Sequence, residues 1–150
     1  MGSVDVETEI VIARPRAEVA AFVGDPSNAT RWYTNIKSVE WQSPKPAVVG
    51  SRIAFVARFL GRTLSYISKV RESVPGERFV MSTADGPFAM ETTYTWRDAP
   101  GGGTSMSLRN RGEPSGFSAV TAPLMAGAMR RANRQDLARL KALLESRKGA

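Results

Sequence analysis

The sequence predicts a single α+β domain, residues 1–150, in which an antiparallel sheet packs against one long C-terminal helix. Three observations support this prediction. A chain of 150 residues suffices for one domain with its own core. From residue 4 to about residue 111, short segments alternate apolar and polar side chains with the period of a β-strand. After the turn-forming residues 113–116, apolar residues recur at helical spacing up to about residue 146.

One strand and two short helices are predicted at the N-terminus. Residues 4–13 alternate strictly between apolar and polar side chains, which is typical of a half-buried strand. Pro15 ends this strand and fits the first turn of a helix, so the apolar residues 17–23 are predicted to form a short helix. Asp25 is a suitable N-cap for a second short helix that leads to Trp32.

Six further strands follow, and short turns separate them. Gly61-Arg62 and Pro75-Gly76 are predicted turns, and the glycine-rich segment 98–103 joins the last two strands. Connections this short join neighbouring antiparallel strands, so the sheet is predicted to be a meander. The predicted strands are residues 36–42, 51–60, 63–73, 78–83, 88–97 and 104–111.

The last segment is predicted to be the helix that covers the sheet. Residues 122–146 would form a helix about 37 Å long at 1.5 Å per residue. Pro123 either opens this helix or kinks a longer one that begins near Phe117. The apolar stripe of the helix contains Met125, Met129, Ala132 or Asn133, Leu137, Leu140 and Leu144.

The composition excludes several kinds of chemistry. The chain has no cysteine and no histidine. It therefore forms no disulfide, has no thiol nucleophile, no Cys/His zinc site and no imidazole base. No dinucleotide-binding, P-loop or nucleophile-elbow motif is present, and no metal-binding carboxylate cluster is evident. We therefore predict neither a cofactor nor a metal.

The net charge is +7, and most of it lies in the C-terminal helix. Between Arg130 and Lys148 there are seven basic residues against Asp136 and Glu145. This segment is either the solvated face of the helix or a docking surface for an anionic partner, such as a lipid surface. No aromatic side chains interleave with the arginines, which argues against nucleic acid as a partner.

The N-terminus predicts a cytoplasmic protein. The opening sequence lacks a basic segment followed by an apolar run, so it does not have the pattern of a signal peptide. No stretch of the chain approaches 18 uninterrupted apolar residues. The oligomeric state is not predicted.

The inward faces of the predicted strands and helix are rich in rings and thioethers. These side chains either fill a core or line a pocket, since a bent sheet around one helix leaves a gap where facing side chains do not meet. Methionine adapts to varied ligands, and apolar walls with a few polar groups are typical of small-molecule sites. The candidate ligand-binding residues are Phe55, Phe59, Tyr66, Met81, Phe88, Met90, Tyr94, Trp96, Met106, Met125 and Met129.

A few polar side chains are predicted to face the same interior. Tyr66 or Tyr94 could donate a proton or hydrogen bond to a carbonyl, but at an ordinary pKa near 10 either needs assistance to act as a base. The alternative is a wall ring whose hydroxyl bonds to the backbone. Asn133 interrupts the apolar stripe and is a candidate ligand contact, unless a small rotation turns Ala132 inward instead. These three residues, Tyr66, Tyr94 and Asn133, are the catalytic candidates; the other inward polar residues are Ser68, Thr92 and Asn110.

Other chemistry-bearing residues are assigned to the surface or to packing. Strand alternation predicts that Arg109, Arg111 and Glu91 point outward. Asp85 is expected in a loop that could border the pocket mouth. Trp32 is expected to be a structural plug, although such a ring can also gate an entrance.

Several segments resemble, in order, the SRPBCC (START/Bet v 1-like) superfamily, and its polyketide cyclase/dehydrase type in particular. They read EIVIARPRAEVAAFVGDPSNATRWYTNIKSVEW, VVGSRIAF, VRESVPGERFVM, TTYTWRDAPGGGTSMSL and ARLKALLES, and the resemblance covers roughly residues 4–146. It implies a helix-grip fold, in which a curved seven-stranded sheet wraps around the C-terminal helix and encloses a deep hydrophobic cavity. It also implies ligands such as lipids, sterols, polyketides or aromatic metabolites. The superfamily has no universal catalytic residues, so none is transferred.

Three functional hypotheses follow from these observations. The first is a binder or carrier of a small hydrophobic metabolite, which the ring- and methionine-rich face favours. The second is a cyclase, aromatase or dehydratase that folds and dehydrates a polyketide-like substrate without histidine, cysteine or metal. The third is an accessory protein that docks on an anionic surface through its basic helix. The sequence does not decide whether the protein is an enzyme.

Overall fold

The computed structural model describes residues 3–86, 89–113 and 122–147. Strand β1 (Val4–Ile12) is followed by α1 (Arg16–Val23), a 3₁₀ turn (Pro26–Asn28) and the one-turn helix α2 (Ala29–Trp32). Six strands come next, and the helix α3 (Ala122–Glu145) ends the described chain. The strands are β2 (Ile36–Trp41), β3 (Arg52–Phe59), β4 (Arg62–Val74), β5 (Arg78–Asp85), β6 (Ala89–Asp98) and β7 (Thr104–Glu113).

All seven strands form one antiparallel sheet in the order β1-β7-β6-β5-β4-β3-β2. The strands β2 to β7 are a meander, and β1 pairs with the last strand along its whole length, from Val4 opposite Gly112 to Ile12 opposite Thr104. Register shifts interrupt the pairing of β2 with β3 and of β4 with β5. Bulges of this kind bend a sheet. The α+β class and the helix-grip architecture are therefore confirmed.

Local sequence signals explain most element boundaries. Asp25 caps the 3₁₀ turn, since its Oδ1 accepts a hydrogen bond from the Ser27 amide at 3.0 Å. The hairpin between β3 and β4 turns at Leu60 and Gly61, one residue earlier than predicted, because Phe59 already pairs with Arg62. Both turn residues have positive φ, 50° and 76°, as the two-residue hairpin turn requires.

Asp85 and Pro123 both lie at the end of a regular element. Asp85 does not lie in a loop: it is the exposed last residue of β5, because the pairing of β4 with β5 continues to Ile67 opposite Asp85. Pro123 lies in the first turn of the described helix, where the lack of its N–H has no cost. Residue 117, the alternative start of the helix, lies outside the described residues.

The core consists of two hydrophobic clusters of unequal size. The larger cluster joins α1, α2, the sheet and the C-terminal half of α3, where Leu137, Leu140 and Leu144 are at most 1% exposed. The smaller cluster groups Val4, Leu64 and Met125. None of the helices in the described part of the chain is long and apolar enough to cross a membrane.

Polar contacts fix the C-terminal end of α3 to the first strand and its following loop. Arg14 Nε donates to the Leu144 carbonyl at 2.9 Å, and the Ala13 amide donates to Glu145 Oε2 at 2.7 Å. Lys141 Nζ donates to the Val11 carbonyl at 2.7 Å. The cation of Arg14 therefore satisfies a carbonyl at the negative end of the helix dipole.

We predict that Leu140→Ala destabilises the protein by about 2–5 kcal/mol, because it removes a fully buried side chain from the larger cluster. Leu124→Ala is the matched control in the same helix, since Leu124 is 68% exposed. It should change stability by no more than about 0.5 kcal/mol. Urea unfolding of both variants measures the difference, and equal effects would contradict the assignment of the core.

Candidate functional site

A cavity of about 180 Å³ lies between the sheet and the N-terminal half of α3. Residues of α2 and the segment after it, such as Trp32 and Asn35, form part of its wall. An engineered cavity of about 150 Å³ in another protein binds benzene, whereas drug-sized ligands occupy about 300–1,000 Å³. In this conformation the cavity therefore has room for a body of about one or two rings.

The structure places eight of the eleven candidate ligand-binding residues at the cavity wall. Phe55 on β3 and Tyr66 on β4 stack there with their ring centroids 5.5 Å apart. Residues of both hydrophobic clusters contribute to the wall, so the cavity lies between the two clusters. The eight residues are Phe55, Phe59, Tyr66, Met81, Met90, Tyr94, Met125 and Met129.

Two candidate residues do not line the cavity. Trp96 lies further along β6, where it borders a separate surface recess beside α1. Met106 is fully buried in the larger cluster. Both face the predicted side of the sheet and belong to the larger cluster, together with residues of α1 and the leucines of α3. Phe88 lies outside the described residues.

Two tyrosine hydroxyls meet in the cavity wall. Tyr33 Oη and Tyr94 Oη are 2.6 Å apart, so one hydroxyl donates to the other and one O–H proton of the pair is left for a further acceptor. Tyr33 was missed as a polar candidate because it follows a one-turn helix whose orientation has no periodic signal. Its position next to the buried Trp32 is the only hint in the sequence.

Burial keeps all three cavity tyrosines neutral. It raises the pKa of Tyr66 to about 12 and raises the pKa of Tyr94 further. Burial also raises the pKa of Tyr33 well above its ordinary value, and the neighbouring Tyr94 adds to this effect. These side chains are therefore hydrogen-bond donors, and the environment opposes rather than assists their use as bases.

Three polar side chains form a chain of hydrogen bonds across the cavity wall. Asn133 Nδ2 donates to Asn110 Oδ1 at 2.8 Å, and Asn110 Nδ2 donates to Thr92 Oγ1 at 2.8 Å. Asn133 is only 6% exposed, so it faces inward. This is one of the two alternatives that the sequence predicts. Ala132 also contributes to the wall, since the cavity face of α3 is wide enough for both.

Asp136 is the one carboxyl group that lines the cavity among the described residues. It lies three residues after Asn133 and hence on the same helix face, and it is 2% exposed. Its Oδ1 accepts hydrogen bonds from the Thr34 amide and the Thr34 hydroxyl, both at 3.0 Å. Burial raises the pKa of Asp136, and the hydrogen bonds from Thr34 oppose that shift.

The residues predicted to point outward do so. Arg109 forms two hydrogen bonds with the Asp5 carboxylate, at 2.6 and 2.8 Å, on the outer face of the sheet. Arg111 Nη2 lies 3.0 Å from Glu91 Oε1 on the same face.

Asp85, although close to the end of the sheet, is not among the residues that line the cavity. Trp32 is both a plug and a wall residue, since it is 1% exposed and lines the cavity.

The basic residues in and just after α3 differ in their contacts. Arg139 Nε donates to the Arg31 carbonyl, and the Arg147 guanidinium lies over the Phe22 ring, 5.3 Å from its centroid. With Lys141, these residues attach the helix to the rest of the domain. Arg131 and Arg134 are exposed, and no ion pair is found for either within the described residues. Lys148 lies outside the described residues.

A curved antiparallel sheet that grips a C-terminal helix around a largely apolar cavity defines the helix-grip class of domains. Residues 3–145 match the sequence model of the family described as polyketide cyclase / dehydrase and lipid transport. The chain belongs to this family, which is of the SRPBCC (START/Bet v 1-like) type. No curated protein gives a significant match to the sequence.

Solved structures share this fold at low sequence identity. The chain is similar to the Zhui aromatase/cyclase from Streptomyces sp. R1128, with a TM-score of 0.80, 14% identity and coverage of 99% of this chain and 98% of that one. A START superfamily protein from Mycobacterium smegmatis has a TM-score of 0.80 and 14% identity, with coverage of 96% of this chain and 98% of that one. Ginseng major latex-like protein 151 from Panax ginseng has a TM-score of 0.75 and 11% identity, with coverage of 94% of this chain and 97% of that one. At these identities the likeness shows the fold alone.

We predict that Asp136→Asn becomes more stable relative to the unsubstituted protein as the pH rises from 3 to 7. The folded state raises the pKa of Asp136 above its ordinary value of 3.8, so this group binds a proton more tightly when folded. Stability from this group is therefore complete at acid pH and is lost as the pH rises through the folded pKa. The asparagine variant lacks this loss. Urea unfolding at both pH values measures the difference.

The same substitution at the exposed Asp85 is the control and should change stability little at either pH. Asp136→Asn could instead be less stable than the unsubstituted protein at neutral pH and equal to it at acid pH. In that case the folded state would stabilise the buried carboxylate, and the direction assigned to the pKa shift of Asp136 would be wrong.

Proposed function

We propose that the protein binds a small, largely apolar molecule with at least one acceptor oxygen in the cavity between the sheet and α3. The observation that carries this proposal is the pair of neutral hydroxyls, Tyr33 and Tyr94, in an otherwise ring- and thioether-rich wall. A pocket of this composition excludes water from an apolar body, while the remaining O–H proton recognises a carbonyl or hydroxyl oxygen. Lipids, polyketides and aromatic metabolites contain such groups.

The cavity wall also has the means to fit ligands larger than its present volume. Met81, Met90, Met125 and Met129 all line it, and unbranched thioether side chains change rotamer at low cost. The leucines of the larger cluster lie outside the cavity and keep the helix in place. We therefore expect ligand size to be set by the methionine side of the wall.

Binding of matched probes tests the role of the tyrosine pair. We predict that Tyr94→Phe weakens binding of 2-acetylnaphthalene by about 2- to 10-fold, the effect of one lost hydrogen bond of about 0.5–1.5 kcal/mol. Binding of 2-ethylnaphthalene, which lacks the carbonyl, should be unchanged. Isothermal titration calorimetry measures both affinities.

Tyr66→Phe is the matched control, because it removes the same hydroxyl atom from a ring in the same cavity but outside the pair. Equal losses for both probes in Tyr94→Phe would contradict hydrogen bonding to the carbonyl. Failure of both probes to bind the unsubstituted protein, together with a native mass spectrum free of any adduct after gentle purification, would contradict the binding function.

A second candidate function is a dehydratase or cyclase acting on a β-hydroxy carbonyl substrate. Asp136 favours it, because a carboxyl with a raised pKa lies in the same wall as the tyrosine donors. In this reaction the carboxylate takes the proton α to the carbonyl, and the tyrosine pair stabilises the enolate. The β-hydroxyl then leaves with a proton from the carboxyl as water, and the carboxylate is regenerated.

Dehydration of 3-hydroxy-3-phenylpropionyl N-acetylcysteamine thioester to the cinnamoyl thioester, followed by ultraviolet absorbance, tests this candidate. We predict that Asp136→Asn lowers kcat by about 100-fold or more without a matching loss of affinity. Tyr66→Phe serves again as the control and should keep most of the rate. An unchanged kcat in Asp136→Asn would exclude this carboxyl as the acid–base group.

A further inference from the structure

The hairpin of β3 and β4 projects beyond its neighbours in the sheet. Pairing with β2 reaches no further than Ala57, and pairing with β5 begins only at Ile67. Strands β3 and β4 stay paired with each other up to Phe59 opposite Arg62. Residues 58–63 therefore form a hairpin tip that has no neighbouring strand on either side within the described residues.

Leu60, at the end of this hairpin tip, is both exposed and strained. It is 46% exposed, and its φ of 50° makes it the one residue other than glycine with a positive φ in the described part of the chain. Asparagine, aspartate and glycine are the usual residues at this position of a two-residue hairpin turn, and leucine rarely adopts it. Neither the turn nor the core requires a leucine here. Residues held in such conformations cluster at functional sites.

A second exposed leucine lies at the same end of the domain. Leu124, in the first turn of α3, is 68% exposed, more than any other large apolar residue in the described part of the chain. Its neighbour Met125 belongs to the smaller hydrophobic cluster with Leu64 of β4, and Phe59 packs against that cluster. The first turns of α3 therefore pack on the hairpin of β3 and β4, which brings Leu60 and Leu124 to one end.

The exposed leucines are accompanied by positive charge alone. The hairpin tip and the first half of α3, residues 122–135, together contain five arginines and no acidic residue. Arg131 lies seven residues after Leu124 and hence on the same helix face, and Arg134 follows one turn later. Both are exposed, as is Arg58, and no ion pair is found for these three within the described residues.

The carboxylates at this end of the sheet lie away from the hairpin tip. Asp85 ends β5 opposite Ile67, which is about 17 Å along β4 from Arg62 at 3.4 Å per residue. Glu113 ends β7, which is three strands away from β4 in the sheet. The surface around Leu60 and Leu124 is therefore apolar at its two projecting points and cationic between and behind them.

We propose that the hairpin tip and the first half of α3 form a docking surface for an anionic lipid bilayer. Leu60 and Leu124 enter the apolar layer, and the arginines contact lipid phosphates at its surface. Two projecting leucines with flexible arginines suit a fluid bilayer, which needs no matching shape, better than a folded acidic protein, which does.

Docking in this orientation places the lipid next to the cavity. Phe59, Leu64 and Met125 belong to this end of the domain and also line the cavity. Under the proposed function, an apolar ligand is then close to the phase in which it dissolves. The docking surface itself does not depend on that function, because its test uses no cavity ligand.

Co-sedimentation with vesicles tests the proposal. We expect the protein to bind vesicles of equal parts phosphatidylcholine and phosphatidylglycerol at least about tenfold more tightly than vesicles of phosphatidylcholine alone. Because salt screens charges at a surface, binding should weaken as sodium chloride rises from about 0.05 to about 0.5 M. No binding to the anionic vesicles, or equal binding to both kinds, would overturn the proposal.

A substitution at the hairpin tip separates docking from folding. Leu60→Asn should weaken binding to the anionic vesicles about tenfold or more, because it removes an apolar side chain from the bilayer. Asparagine accepts a positive φ more readily than leucine, so urea unfolding should show at least the original stability. Val49→Asn is the matched control: Val49 is 62% exposed in the loop between β2 and β3, at the opposite end of the sheet. It should leave vesicle binding unchanged.

A pair of double variants tests the arginines. Arg131→Gln/Arg134→Gln should weaken binding to the anionic vesicles about tenfold or more. Arg52→Gln/Arg97→Gln removes the same charge from exposed positions at the other end of the sheet and should weaken binding no more than about twofold. The proposal is also overturned if either the leucine or the arginine variant loses no more binding than its control.

Discussion

The attachment of the C-terminal half of α3 to the sheet is the constraint on which the rest of the structure depends. Leu137, Leu140 and Leu144 pack into the larger cluster, and Arg14 and the Ala13 amide bind the last turn of the helix. A rigid helix fixed at one end has its other end placed in space as well. The cavity exists because the N-terminal half of α3 is held over the curved sheet at a distance that its methionine, alanine and asparagine side chains do not fill.

Polar groups in the cavity persist because they are mostly satisfied by one another. Asn133, Asn110 and Thr92 bond in sequence, and Thr34 supplies two donors to Asp136. A buried amide or carboxyl without such partners would destabilise the fold, whereas these networks hold side chains in fixed orientations. The tyrosine pair differs, since two hydroxyls share a single hydrogen bond and retain a proton for a third group. The networks therefore fix the orientation of these side chains, and the tyrosine pair is the part of the wall best suited to recognise a ligand oxygen.

The sequence predicts the direction of side chains better than the residues that they contact. Alternation along β6 correctly predicts that Tyr94 and Trp96 lie on one face. It does not predict that α1 lies beside Trp96 only. Position along a strand depends on the elements packed across it, which alternation does not encode. Asp136 escaped notice for a different reason: aspartate is rarely buried, so a helix pattern assigns it to the solvent side. Its burial depends on Thr34, 102 residues earlier in the chain, whose donors no local pattern relates to it.

The strand β6 brings the cavity and the surface recess into contact with one another. Tyr94 lines the cavity and Trp96 lines the recess, and their rings stack with centroids 6.2 Å apart at an angle of 27°. Tyr94 also contacts Phe79, which borders the recess, with centroids 6.3 Å apart. The two openings are therefore separated by a single layer of aromatic rings rather than by backbone. The hydroxyl of Tyr94 and the N–H of Trp96 thus belong to one packed group of rings that both openings share.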